Sequence, residues 1–213
     1  MIKLKKVLRI CLLMILFFSG ALMAQESQIA KKSVSKTYDL NGLKPSLIFS
    51  RAETWFTNEV NGENNVIESV DPESKELLVK GETKVLYKNI GKELYPKRSG
   101  MAEVLDAYFG HLIEIKVGED SYTITYAVTD MRKEMYGKED VFFDCINFIE
   151  VDKDALKNYN DDMNKLLKAN LVFKKRRDIF LENSPAQFEE VNTFLLSEGE
   201  TNIFSLNETV VGN

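Results

Sequence analysis

Between Val104 and Val128 large apolar residues recur at two-residue spacing on either side of a polar turn. That periodicity of two constrains the fold more than any other stretch. Leu105, Phe109, Ile113, Ile115 and Val117 fall on one side of the first half. Gly118-Glu119-Asp120 makes a tight connection. Tyr122, Ile124, Tyr126 and Val128 then alternate with Thr123, Thr125 and Ala127. Successive strand side chains point to opposite faces, so the two halves predict an antiparallel hairpin with one packed face and one wetter face.

The preceding chain supplies the hairpin's neighbours. Ser33 to Leu40 alternates and predicts a first strand, broken by Asn41-Gly42. Pro45 suits the first turn of a helix, where its missing N–H costs nothing. Ile48, Phe49, Ala52, Trp55, Phe56 and Val60 follow at three- and four-residue spacings, and Asn61-Gly62 ends that helix. Asn65 to Val70 and Glu76 to Tyr87 predict two more strands around the turn Asp71-Pro72-Glu73-Ser74. Ile90 to Gly100 and Met131 to Asp140 are expected as loops.

Helical spacing dominates the C-terminal third. Asp152 or Asp154 can cap a long helix in which Leu156, Tyr159, Met163, Leu166, Leu167 and Leu171 form the stripe, to about Phe173. At 1.5 Å per residue such a helix spans about 30 Å, enough to cross a five-stranded sheet. Lys174-Lys175-Arg176-Arg177 would sit at its negative dipole end. Ser184-Pro185-Ala186-Gln187 looks like a capping box that starts another helix, with Phe188, Val191, Phe194 and Leu195 as its stripe. Gly199 is the expected terminator, and residues 200 to 213 are expected to be flexible.

The N-terminus indicates a compartment. Lys3, Lys5, Lys6 and Arg9 precede an apolar run from Ile10 to Phe18, and Ser19 to Ala24 closes it with small residues. This is the layout of a secretory signal peptide, expected to be cleaved near Gln25. The run is shorter than the roughly 20 apolar residues of a membrane span. Cys11 lies too early for lipidation. The expected product is therefore exported, periplasmic or extracellular, and unlipidated, with no integral span after cleavage. Losing the leader's four basic residues takes the formal charge from −5 to −9. An acidic surface repels phosphate backbones, which disfavours nucleic acid as a partner.

Few residues suggest chemistry. Only Cys145 remains after cleavage, inside the apolar run Val141 to Ile146, so no internal disulfide can form and a buried inert thiol is expected. His111 is the only histidine. It falls on the side of Phe109 and Ile113, where a structural imidazole is expected. Zinc sites built of several Cys and His are excluded by count. Asp152 with Asp154, and Asp161 with Asp162, lack the spaced loop of a calcium hand. No metal or cofactor is expected.

The element order is strand, helix, four strands, long helix. The chain resembles a family of domains of unknown function with a TATA-binding-protein-like (TBP-like) fold, found in exported proteins of Bacteroidota. The resemblance rests on the helix end Ala52-Glu53-Thr54-Trp55-Phe56, on Val66 to Gly81 with its Asp71-Pro72-Glu73-Ser74 turn, and on the hairpin from Ile113 to Tyr126. It covers roughly residues 34 to 130. A glycine is common in that family where this chain has Lys75. The resemblance implies a fold and an envelope location, and carries over no functional residue.

The expected architecture is α+β: a curved antiparallel sheet of about five strands packed on helices in β-α-β-β-β-β-α order. Residues 1–24 form the leader, 33–175 the TBP-like domain, and 176–213 a C-terminal helical extension and flexible tail. The leading functional expectation is a non-enzymatic binding or accessory protein of the cell envelope. Its partner would be an apolar small molecule, a glycan or another envelope protein. Trp55, Tyr108, Tyr122 and Tyr126 are the side chains expected to line an open cleft between sheet and long helix. One alternative is a structural subunit docking through its C-terminal helix and the Phe188/Phe194 stripe. Another is a hydrolase using His111 as base.

Overall fold

The computed structural model describes residues 32–59, 66–132 and 139–212. The expected leader and the expected break at Asn61-Gly62 lie outside the described residues. The elements run β1 (Ser33–Asp39), α1 (Pro45–Glu59), β2 (Val66–Asp71), β3 (Glu76–Lys88), α2 (Ile90–Leu94), β4 (Val104–Val117), β5 (Ser121–Arg132), α3 (Glu139–Asp144), α4 (Lys153–Ala169) and α5 (Lys174–Val211). The strands form one curved antiparallel sheet in the order β1-β5-β4-β3-β2. This is the α+β architecture that the hairpin and its neighbours predict.

The local chemistry explains the turns. Asn41 and Gly42 both take positive φ, 51° and 84°, and turn β1 toward α1. Asp71 Oδ1 accepts from the Glu73 and Ser74 amides at 2.9 and 3.2 Å, closing the β2–β3 turn. Lys75 ends that turn at φ +56°. The Gly118 amide donates to the Ser121 carbonyl at 2.8 Å across the β4–β5 connection. Asp152 caps α4 by accepting from the Asp154 and Ala155 amides.

Alternation holds through the sheet, with one interruption. Leu77, Val79, Val85, Tyr87, Phe109, Ile113, Ile115, Tyr122, Ile124 and Tyr126 face inward and are buried. Gly110 pairs with Asp130 and His111 with Val128, so Thr129 is an extra residue in β5. This bulge reverses the parity of β5. Val128 and Met131 are both buried, and Asp130 faces outward beside Gly110.

The C-terminal third departs from expectation. α4 stops at Ala169 rather than near Phe173. Leu171 takes φ +58° just past its end. The Leu171 and Val172 amides donate back to the Lys168 and Leu167 carbonyls at 3.0 Å each, a Schellman stop with leucine in the glycine position. The basic run Lys174 to Arg177 therefore opens α5, at the positive end of a helix dipole, instead of closing α4.

α5 is one helix of 38 residues, about 57 Å long. Ser184-Pro185 lies inside it and does not start it. Pro185 removes the N–H that would reach the Leu181 carbonyl. Ser184 Oγ lies 3.0 Å from that carbonyl and 2.8 Å from Asn160 Oδ1 of α4. Gly199 does not end the helix. A Cβ at Gly199 would sit 2.6 Å from Tyr126 Cδ1 and 3.0 Å from Val34 Cγ1, so this glycine allows close approach to the sheet. Residues 200–211 continue as helix, and Ile203, Leu206 and Val210 are fully buried. It is α5, not α4, that crosses the inner face, packing on β1, β3, β5, α1, α2 and α4.

The expected loops also shrink. Met131 and Arg132 belong to β5, and α2 occupies the start of the Ile90 to Gly100 stretch, with Ile90 and Leu94 buried. Phe142 of α3, Tyr159 of α4 and Phe188 of α5 meet with ring centroids 4.6–5.9 Å apart, and Tyr87 of β3 reaches Phe142 at 5.7 Å. This aromatic cluster joins the three C-terminal helices to the sheet.

Candidate functional site

Three of the four aromatic residues expected to line a cleft are packed under the helices. Trp55 is buried on α1, edge-to-face with Phe56, and its indole N–H donates to Ser205 Oγ of α5 at 3.2 Å. Tyr122 is buried, stacks on Tyr38 at 5.4 Å, and donates its hydroxyl to Asn207 Oδ1 at 2.6 Å. Tyr126 is fully buried against Gly199. Burial raises both tyrosine hydroxyls to about 12. The space between sheet and helix is occupied by α5 itself.

His111 belongs to the same layer. Its ring stacks on Tyr126 at 5.1 Å, and Nδ1 lies 3.0 Å from Thr83 Oγ1. Desolvation lowers its pKa from the usual 6.5 to about 4. The imidazole is neutral at pH 7 and buried, 5% exposed. Cys145 is buried and unbridged. Its thiol points at the Val141 carbonyl, 3.4 Å away, and burial raises it to about 12. Neither residue is placed to act on anything outside the core.

Tyr108 lies elsewhere. Its even position in β4 turns it away from Phe109 and onto the outer face of the sheet, where the Lys84 ammonium lies 5.7 Å from its ring. The helices pack on the inner face, so this outer face is open. On the β1 side it carries Ser35 and Thr37 hydrogen-bonded to Thr125 and Thr123, both at 2.9 Å. Further across come the ion pairs Lys84–Asp106 at 3.5 Å, Lys116–Glu114 at 3.1 Å and Arg132–Glu82.

A depression of about 470 Å³ opens in this face, lined by Val66, Lys80, Gly81, Gly110, Asp130 and Arg132. Gly110 creates it in part: a Cβ there would meet Asp130 Oδ2 at 2.5 Å. The glycine leaves room for the carboxylate to lie over the backbone of β4. Thr129 Oγ1 donates to the same Oδ2 at 3.1 Å. Arg132 is paired in register with Tyr108, two residues before Gly110 on β4, so Tyr108 neighbours the depression without lining it. Two cations, Lys80 and Arg132, stand beside two carboxylates, Asp130 and Glu82. The region therefore offers donors and acceptors with little net charge.

Sequence reasoning did not find Gly110, Asp130 and Arg132. Parity alone would have turned Asp130 inward with Tyr122, Ile124 and Tyr126. The bulge at Thr129 that turns it outward has no recognisable signature. Tyr108 could have been separated from the other three aromatics, because its parity is opposite to that of Phe109 and Ile113.

The Asp152 carboxylate caps the start of α4, accepting from the Asp154 and Ala155 amides, and Asp162 pairs with Lys165 at 3.2 Å. Among the described residues, no group of three or more His, Cys, Asp or Glu is arranged to hold a metal. Among them, too, no helix is long and apolar enough to cross a membrane.

No family model matches the chain, and no curated protein matches it. The solved structures similar to it include two from Bacteroides and Parabacteroides species. A DUF4468 family protein from Bacteroides ovatus superposes with a TM-score of 0.35 at 13% identity, over 47% of this chain and 53% of that one. The match thus spans about half the length of that protein. A TBP-like protein from Parabacteroides distasonis superposes with a TM-score of 0.44 at 13% identity, over 84% of this chain and 91% of that one.

Proposed function

We propose that this chain is an exported, non-enzymatic accessory protein of the bacterial cell envelope that binds a neutral, hydroxyl-rich ligand, a glycan, on the open face of its sheet. The observation that carries the reading is the depression between Gly110, Asp130 and Arg132, with Tyr108 paired beside Arg132 on the same face. Balanced pairs of carboxylates and cations supply both acceptors and donors, which suits hydroxyl groups better than a polyanion. An aromatic ring beside them offers a flat apolar contact for a sugar face. The basic, apolar and small-residue succession of Met1 to Ala24 supports export.

The test is a titration of isotope-labelled protein with soluble muropeptides and N-acetylglucosamine oligomers, followed by amide chemical shifts. Shifts confined to Lys80, Gly110, Asp130 and Arg132, and lost in Tyr108→Ala and Asp130→Ala, support the reading. Shifts elsewhere, or none, refute the glycan assignment. The mass of the product recovered from the envelope separately tests export, and should correspond to a chain starting near Gln25.

Of the Phe188/Phe194 stripe that the docking-subunit alternative uses, Phe188 is fully buried in the core and only Phe194 is exposed. The hydrolase alternative has no support from His111, which faces the core.

A further inference from the structure

The turn between α4 and α5 carries costs that the fold does not explain. Leu171 is 88% exposed and Phe173 76% exposed, the former among the most exposed large apolar side chains described. Val172 between them is buried and pins the turn to the core. Leu171 also holds a left-handed backbone at φ +58°. For a non-glycine residue this costs roughly 1 kcal/mol or more. Glycine or asparagine would complete the same Schellman stop without strain and without presenting an apolar side chain to water.

The charge around these two residues is one-sided. Lys165, Lys168, Lys174, Lys175, Arg176 and Arg177 lie between Met163 and Asp178 with no acidic residue among them, in a chain whose formal charge is −5. Part of this set has a structural task. Arg176 lies over the Tyr95 ring at 4.3 Å, and Arg177 donates to Asn164 Oδ1 at 2.9 Å and to the Val172 carbonyl at 2.6 Å. Lys168, Lys174 and Lys175 are exposed and make no ion pair among the described residues. Two of them sit in the first turn of α5, where the helix dipole disfavours cations. Lys97 and Arg98 follow Tyr95 closely, and both are exposed. The Arg176–Tyr95 contact thus brings a second basic segment to the same end of the molecule.

We propose that this turn is a docking tip for an anionic bilayer. Leu171 and Phe173 enter the boundary between headgroups and acyl chains, while Lys168, Lys174 and Lys175 neutralise lipid headgroups. Apolar side chains flanked by cations bind anionic interfaces by adding buried area to electrostatic attraction. The tip is short and rigidly braced by Arg177, so its binding is reversible and differs from anchoring by a span. The inference involves none of the residues of the open sheet face and stands independently of any glycan.

The experiment is vesicle co-sedimentation of residues 25–213, which contain every described element and omit the apolar leader that would bind lipid by itself. A cooperative thermal melt confirms folding of each protein used. Vesicles with about one-third phosphatidylglycerol are compared with pure phosphatidylcholine, at low and high salt. The wild-type protein should bind the anionic vesicles, weaken at high salt, and bind the neutral ones much less. Phe173→Ser should lower binding about tenfold, in line with the loss of one buried apolar side chain. Lys174→Gln with Lys175→Gln should lower it about thirtyfold at low salt, at roughly one interfacial cation's worth each. Leu171→Gly should raise the melting temperature yet weaken vesicle binding, a pairing that a purely structural role cannot produce. Tyr108→Ala should bind vesicles as the wild type does. Absence of vesicle binding overturns the proposal. So does binding that follows salt but ignores Phe173→Ser and Leu171→Gly, which would mean adsorption without insertion.

Discussion

Gly199 of α5 and Tyr126 of β5 touch backbone to ring, so closely that a Cβ on Gly199 would lie 2.6 Å from Tyr126 Cδ1. In an exposed helix, glycine to alanine is stabilising by up to about 1 kcal/mol. Here the sign should reverse. The Tyr126 ring also stacks on His111, and Val34 crowds the site. Gly199→Ala should therefore destabilise the protein by about 1–3 kcal/mol, the usual range for overpacking. Urea denaturation checks this, and a more stable Gly199→Ala protein would falsify the close-approach account.

His111 should give the protein a distinctive response to mild acid. The unfolded chain takes up a proton on this imidazole near pH 6.5, whereas the folded chain resists until about pH 4. Between those values the unfolded state holds more protons, so stability falls as the pH drops through the window. The loss is roughly 3 kcal/mol across it. Melting temperatures recorded from pH 7 to pH 4 should show this slope, and His111→Gln should flatten it. An unchanged slope in His111→Gln would assign the acid response to other groups.

Lys75 occupies a left-handed position at φ +56° in the β2–β3 turn. Lys75→Gly relieves the contact between Cβ and carbonyl that disfavours this conformation, though it adds entropy to the unfolded chain. The expected net effect is a gain of about 0.5–1 kcal/mol. Equilibrium denaturation with an unchanged m-value is the appropriate check.

The Tyr159 hydroxyl is buried in the aromatic cluster and has no hydrogen-bond partner among the described residues. Burial pushes its pKa well above the usual tyrosine range. Tyr159→Phe removes a desolvated polar atom and keeps the ring contacts with Phe142 and Phe188. It should stabilise the fold by about 1 kcal/mol. A loss of stability instead would show that the hydroxyl is hydrogen-bonded in solution.

The strands were readable because burial on one side of a sheet leaves an alternation that no other structure shares. Val104 to Val128, Ser33 to Leu40 and Glu76 to Tyr87 all form strands close to their expected bounds. The helical third was misread where local signals compete with packing. Ser184-Pro185 has the chemistry of a helix start and Gly199 that of a helix end. Both lie inside α5 because Phe180, Phe188, Val191, Leu195, Ile203, Leu206 and Val210 bury one continuous stripe. The reverse happened at Leu171 and Phe173. Their spacing extends the apolar stripe of α4, but the helix has already stopped and both side chains face solvent. The candidate site was legible only at Tyr108. Its other parts depend on a bulge and on a glycine that makes room for the carboxylate paired across from it.

The placement of α5 fixes an order of events during synthesis. The inner face of the sheet is covered by a helix whose last buried residue, Val210, is made almost at the end of the described chain. While that segment is still inside the ribosome, Tyr122, Tyr126 and Trp55 have no lid, and the hairpin presents its apolar side to water. A nascent chain stopped before Gly199 should be open to protease along its whole length. Folding of this domain is thus deferred until α5 has been made.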